Sequence, residues 1–459
     1  MKTYQDLIES NNGYEFVFES INDYKGSEMY RNAMEGIDYS TGHNTAITSF
    51  KKLLYTITGE AVPDNFSANH KCVSNFFHRL TCQLSGYLLS NGVQLKDDVT
   101  KDRFDKDIDT KLLTAAQDAL CQGAVYGFWN NDHVEYFTAS EFVPFFDEET
   151  GALRAGVRFW QIAGDKPVRA TLYEEDGYTE LIKRNGSIEV LAEKTSYIMV
   201  TAESAADGIR VIDGRNYDGF PIVPLYANKY KQTELIPIKS QIDAYDLIKS
   251  GFANDLDDAS MIYWTINNAG GMNDVDLKKF IERMKVVKAA VVDDEAKAEA
   301  HTIDVPYQSR EAYLNRLEKD IIKDFMGLDV ESIQSGNVTA TQIKAAYEPL
   351  SEKADRFEAI VIEHILGLLK LAGIDDYPSF RRSQMSNELE QTQMVMMCAN
   401  ILDNQTILEH LPFLTVDEVP EILERLEKEE ISRLSEGLGN NIPGNNPADP
   451  ANPKEVVEE

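Results

Sequence analysis

Cysteine is scarce in this chain. Four occur in 459 residues, Cys72, Cys82, Cys121 and Cys398, and none forms a Cys-x-x-Cys pair. That excludes a disulfide framework and predicts a reducing compartment. Long apolar runs are missing too. No stretch of about 18 apolar residues exists, so no membrane span is expected. The N-terminal "MKTYQDLIESNNGYEF" lacks the apolar core of a signal peptide. Positive charge is in short supply: 45 Lys and Arg stand against 77 Asp and Glu, a net charge of −32. Such a surface repels bare nucleic acid and excludes a tight grip on phosphate over most of its area.

Catalytic signatures are also absent. There is no Gly-x-x-x-x-Gly-Lys-Ser/Thr loop, and "GLGNNI" lacks the last glycine of a dinucleotide fingerprint. No His-Glu-x-x-His and no Gly-x-Ser-x-Gly elbow occurs. Glu363-His364 has no second histidine one turn on, so it reads as a packing or surface pair rather than a metal ligand set. Asp255, Asp257 and Asp258 fall on a predicted helix and point in different directions. They read as solvated, because a cation needs oxygens converging from one loop. The sequence therefore assigns no catalytic, cofactor-binding or metal-binding residue.

What is present is helix, interrupted by one block of strand. Residues 1 to about 125 read mainly helical. Val73, Phe76, Phe77, Leu80, Leu84 and Leu88 recur every three or four residues, and "TKLLTAAQDALCQGAVYG" predicts a second helix. Residues 132 to about 225 change period: "HVEYFTA", "AGVRFWQ" and "PVRATLY" are short, β-branched and aromatic. Asn185-Gly186 between two alternating runs predicts a hairpin. From Pro237 a helix of about 29 residues is predicted, running to Gly270-Gly271. A short helix, "DVDLKKFIERM", and strands over "KVVKAAVVDD" and "AHTIDVP" follow. The next helix covers 309–326, closed by Gly327, with an apolar stripe of Leu314, Leu317, Ile321 and Phe325. Arg316, Lys319 and Lys323 form a basic stripe opposite, most simply a solvated or ion-paired face. The fold class is mainly α with a smaller antiparallel β unit.

"ESIQSGNVTATQIKAAYEP", residues 331–349, joins two such helices through Ser335, Gly336 and Asn337, which favour turns. Beyond it, Tyr347, Leu350, Ala354, Phe357, Val361, Ile365 and Leu368 make one apolar stripe. Pro349 predicts a kink, and Gly373 a stop. More helices are expected over 383–436. The last residues, 437–459, rich in proline and asparagine, read as a disordered tail.

This order of parts resembles the portal proteins of tailed double-stranded DNA phages, in the long-tailed-phage family. Five stretches carry the resemblance in series. They are "NHKCVSNFFHRLTCQLSGYLLSNGVQL", "EYFTASEFVPFFDEETGALRAGVRFW", "YDGFPIVPLYANKYKQTELIPIKSQIDAYDLIKSGFANDL", "SGNVTATQIK" and "FRRSQMSNELEQTQMVMMCANILDNQTILEHLPFLTVDEVPEILERLEKE". Together they span about 65–432. Residues 43–63 match nothing in the pattern, and Gly-Asn-Val-Thr-Ala stands where the family usually has Ser-Gly-Val-Ala-Leu.

The resemblance implies an elongated fold and a ring, usually of twelve subunits, at one capsid vertex. Double-stranded DNA would pass through its axis. The implied parts are a wing (1–235), a first stem helix (236–271), a clip (272–306), a second stem helix (307–327), a tunnel loop (328–338), a kinked helix (339–373) and a crown (374–436). Ser335, Gly336 and Asn337 would project into the channel. Clip strands containing Val287 and Val291 would pair between subunits. The basic stripe would face the channel or pair with Asp243, Asp246 and Asp255 of a neighbour. Implied partners are further copies of the chain, the terminase motor, the major capsid protein and scaffold, and a head-tail adaptor. The implied place is the virion, after assembly in the host bacterial cytoplasm. The alternatives are another phage head protein, such as a minor head protein, a monomeric scaffold-binding module, or a hydrolase with an acidic site outside known motifs.

Overall fold

The stripe beginning at Tyr347 lines the main core. In the structure, a computed structural model, all seven of its residues are buried. The structure describes residues 2–10, 13–55, 59–64, 69–205, 208–259, 263–267, 275, 279, 297–301, 307–334, 340–383, 392, 395–397, 401–411, 414 and 419–428. The chain divides into two units, Met1–Ser383 and Gln384–Glu459.

The first unit is built on the helix Ala340–Ala372, 33 residues long and continuous through Pro349. A proline at that position cannot donate to the carbonyl of Ala345, a cost that the buried stripe offsets. The helix closes at Gly373 (φ 68°), with the Ile374 amide donating to the Leu369 carbonyl at 2.9 Å. Its apolar face packs with the helices Phe76–Leu89, Ile108–Gln122 and Tyr307–Phe325 in one continuous core. Of the stripe on Tyr307–Phe325, Leu317, Ile321 and Phe325 are buried. That helix was expected to close at Gly327. The left-handed residue is instead Met326 (φ 63°), and Gly327 is needed because a Cβ there would meet Leu80.

The strand block is antiparallel throughout. Five strands form a meander in the order Ser187–Thr195, Gly177–Arg184, Val168–Glu174, Leu153–Trp160, Phe142–Phe146. Its first turn is the expected Asn185-Gly186, with φ of 49° and 87°, the double left-handed geometry that suits a two-residue hairpin. The N-terminal helices Tyr4–Glu9 and Gly13–Lys25 cover this sheet, burying Leu7, Phe16, Val17 and Ile21 against Val143, Phe145, Val157 and Leu172. A second sheet pairs Ile222–Tyr226, Ala124–Asn130 and His133–Thr138. Ala124–Asn130 corrects the sequence reading, which carried the preceding helix through Gly127. The helix ends at Gln122 because Gly123 turns left-handed (φ 94°), and the residues after it form a central strand, paired on both sides and buried from Ala124 to Trp129.

Four further elements sit where no strong local pattern announced them. Helix Glu28–Ser40 crosses Ile108–Gln122 so closely that a Cβ on Gly36 would overlap the Cys121 carbonyl oxygen. Within the unmatched stretch 43–63 lie the short helix Thr45–Ser49 and a hairpin of Leu53–Tyr55 with Ala61–Pro63. Cys72, Cys82 and Cys121 are free thiols, and Cys398 lies outside the described residues.

In the second unit, the helix Asn404–Glu409 is capped by Asp403, whose carboxylate accepts from the Thr406 amide and hydroxyl. Residues 419–428 are helical, with Arg425 paired to Glu421 and Lys428 to Glu424 one turn apart. The tail 437–459 lies outside the described residues. No helix among the described residues is long and apolar enough to cross a membrane.

Candidate functional site

Two helices and two strands make a hairpin. Helix Lys239–Ala259 packs on Tyr307–Phe325, and the strands Tyr263–Asn267 and Lys297–His301 pair antiparallel at its end, Tyr263 opposite His301. The expected first helix, 236–271, is therefore too long. It stops at Ala259, since Tyr263, Trp264, Thr265 and Ile266 are aromatic and β-branched in a row and suit a strand better than a helix. The second strand begins before the expected "AHTIDVP". Val287 and Val291 lie outside the described residues.

Polar contacts hold the hairpin together and to its support. Arg310 pairs with Asp255 across it, and Gln241 donates to Asp324. Helix Phe76–Leu89 braces both arms. Phe76 meets Tyr245 edge-on at 4.9 Å, and Arg79 pairs with Glu318 at 3.5 Å. One flank is left open: Leu247, Leu256 and Tyr313 are exposed, and Leu247, Ile248, Gly251, Ser309, Arg310 and Tyr313 line a shallow apolar groove between the arms.

A second anchor runs along helix Lys239–Ala259. The extended segment 70–74 lies along helix Lys239–Ala259 and donates every second amide to a side chain one turn further along it. The His70 amide reaches Asn254 Oδ1 (2.7 Å), Cys72 reaches Ser250 Oγ (3.0 Å) and Ser74 reaches Asp246 Oδ1 (2.9 Å). Two residues of extended chain advance about 6.6 Å and four residues of helix about 6.0 Å, so the two ladders stay in step over three rungs. At the last rung Asp246 is fully buried and its second oxygen accepts from Asn44 Nδ2 at 2.8 Å. Burial raises the Asp246 pKa, while the bonds from Ser74 and Asn44 work the other way. Asn44 is itself buried; its Oδ1 caps helix Thr45–Ser49 and accepts from the Tyr39 hydroxyl. The single Tyr39 hydroxyl proton is shared between Asn44 Oδ1 and the carboxylate of Asp243, which pairs with Lys239 at 2.9 Å. The unmatched stretch 43–63 thus holds, in Asn44, a residue that fastens the hairpin's first helix.

The described residues hold no group of three or more His, Cys, Asp or Glu side chains placed for a metal. His364, flagged with Glu363, is wholly buried, with Nδ1 at 3.2 Å from the Pro224 carbonyl and Nε2 at 3.3 Å from the Tyr136 hydroxyl. Burial pushes its pKa down to about 4. Asp255 and Asp257 pair with Arg310 and His70, and the Asp258 side chain lies outside the described residues.

Residues 27–434 match the family described as phage portal protein, SPP1 Gp6-like. The chain belongs to this family. The portal protein of Clostridium phage phiCD119 is 28% identical over 235 residues, 49% of this chain and 52% of that protein, so the chain spans about half the length of the curated relative it matches. Chains from a virion and from the neck of a native gene transfer agent particle are similar at TM-scores of 0.43 and 0.42. Their identities are 11% and 10%, over 80% and 74% of this chain and 97% and 90% of theirs.

For this portal-family chain, the expected site residues divide as follows. Arg316, Lys319 and Lys323 are exposed on one helix, as the sequence spacing requires. Arg316 bonds Asp320 on the same helix, while no ion pair of Lys319 or Lys323 occurs among the described residues. Of the acidic residues named as possible partners for this stripe, Asp246 is buried in this chain, Asp243 pairs with Lys239 and Asp255 with Arg310. Pro349 lies within the helix Ala340–Ala372. Ser335, Gly336 and Asn337 lie outside the described residues. The sequence reading missed the node of Asn44, Tyr39 and Asp246. Asp246 stands 202 positions from Asn44, and only the preference of Asn for a helix N-cap before Thr45 hints at the node.

Proposed function

We propose that this chain forms a closed ring at one capsid vertex and that double-stranded DNA is packaged and ejected through the ring's axis. Membership of the portal family over 27–434 carries this reading. The open flank of the hairpin supports it. An apolar groove beside exposed Leu247, Leu256 and Tyr313 fits a neighbouring copy, and an interface between unlike faces closes a ring when its rotation divides the circle. Twelve copies is the proposed number.

In this reading residues 1–235 are the wing, and helices Lys239–Ala259 and Tyr307–Phe325 are the stem. The clip is 272–306: its strand Lys297–His301 has a partner in its own chain, Tyr263–Asn267, and the proposed contacts to neighbours are made by the stretch with Val287 and Val291, the end that docks the terminase motor and later the head-tail adaptor. Residues 374–436 are the crown, beside the capsid protein and scaffold. The protein is assembled in the host bacterial cytoplasm, becomes part of the virion and performs no catalysis. A net charge of −32 suits a conduit, because each added phosphate contact would slow a moving duplex. Arg316, Lys319 and Lys323 would form weak rings along the channel or meet acidic groups of a neighbour.

The loop 328–338 is the proposed channel element, and Pro349 the point where the next helix turns from the wall. Its test uses Gly336→Val and Asn337→Trp, which add stiffness and bulk without touching a stem stripe. In a complementation assay both variants should give normal numbers of capsids by microscopy, with nuclease-protected DNA near background. Wild-type DNA content in both would remove residues 335–337 from the channel.

A further inference from the structure

We infer that Lys353 is a positioning residue: it fixes the point at which the chain leaves helix Tyr307–Phe325, and Gln83 fixes the next three residues. Lys353 is the buried cation that neither the hairpin nor the core explains. An ammonium has three protons to donate. One goes to Glu234 Oε2 at 2.6 Å and one to the Phe325 carbonyl at 2.9 Å. The ammonium also stands 3.5 Å above the centroid of the Phe325 ring. The cation therefore caps the carboxyl end of the helix, where a positive charge is favoured.

Its counter-ion is held as firmly. The other Glu234 oxygen accepts from Asn228 Nδ2 at 2.7 Å, and the Glu234 amide donates to the Leu120 carbonyl at 3.0 Å. Three residues beyond Phe325, the Gln83 side chain bonds Leu328 twice. Its Oε1 accepts the Leu328 amide at 2.9 Å and its Nε2 donates to the Leu328 carbonyl at 3.0 Å. Between these fixed points the chain makes its left-handed turn at Met326 and then enters the short helix Val330–Gln334.

A buried ion pair is a poor way to add stability, since a well-packed apolar pair of similar volume often does as well or better. It is a good way to demand one geometry. Glu234 lies just before the hairpin's first helix, Phe325 ends its second, and Lys353 lies midway along Ala340–Ala372. One charge pair thus ties both ends of the hairpin to the long helix. The inference rests on the portal reading only in its consequence, that the stretch after Leu328 is aimed at the channel.

The test is amide hydrogen exchange of residues 326–334 in the full chain, measured with thermal stability. Lys353→Met should speed exchange there by about tenfold, the factor that follows the loss of one hydrogen bond's worth of local stability, and should lower the melting temperature. Lys353→Arg should restore both. The double variant Lys353→Met with Glu234→Leu should regain most of the melting temperature and still exchange fast. Regained stability together with wild-type protection in that variant would show the pair to be packing alone and overturn the inference. Should the double variant not fold, Glu234→Gln decides. A lower melting temperature with protection kept at 326–334 supports the inference, and lost protection overturns it. Because the readout needs neither ring nor DNA, its failure would leave the channel reading standing.

Discussion

Replacing Asp246 with alanine should destabilise the chain by about 3 kcal/mol, the cost of stranding buried polar groups. The carboxylate is fully buried and each oxygen takes one donor, the Ser74 amide and the Asn44 side chain. Alanine leaves both donors without a partner and opens a small void. Loss should spread along the ladder. Freed at Ser74, the segment 70–74 keeps its rungs to Ser250 and Asn254 and the His70–Asp257 pair, all nearer the end of the helix. Asparagine at the same position should cost less, because it removes the desolvated charge and still accepts one bond. Urea unfolding measures the order wild type, then Asn, then Ala. Hydrogen exchange should show the amides of Cys72 and Ser74 losing protection first. A loss below about 1 kcal/mol in the alanine variant would mean that the ladder does not fasten this helix.

The second large effect is acid lability from one histidine. The His364 pKa falls from 6.5 to about 4 because burial penalises the imidazolium. The folded state therefore holds His364 neutral where the unfolded chain has begun to bind a proton. Stability from this residue is complete above pH 6.5, falls as pH drops towards 4, and levels off below that. The span of the shift corresponds to about 3 kcal/mol. His364→Gln can still meet the Pro224 carbonyl and does not titrate, so its stability should be flat across this pH window apart from the carboxylates common to both proteins. A Gln variant with the same slope as wild type would show that His364 is not the group being protonated.

What the sequence made legible follows from local periodicity. The stripe from Tyr347 to Leu368 needs only a spacing of three and four residues, and every member is buried. Asn185-Gly186 needs only its own preference for left-handed backbone. The ends of elements were harder. Helix Lys239–Ala259 stops before a glycine pair could stop it, because residues 263–267 find a partner strand, residues 297–301, far along the chain. Asn44, Asp246, Glu234 and Lys353 are joined by side-chain contacts between distant segments, which no local pattern encodes. The hairpin's supports are thus a property of the folded chain. Its long helices, and the family they belong to, are a property of the sequence.

Closed-ring assembly is the central claim, and native mass spectrometry of the purified full-length chain at micromolar concentration and moderate salt tests it most directly. The account predicts one dominant closed oligomer, twelve copies of the 51.7 kDa chain, seen in negative stain as a ring with a central hole. Monomer alone under those conditions, with no ring in the images, would contradict it.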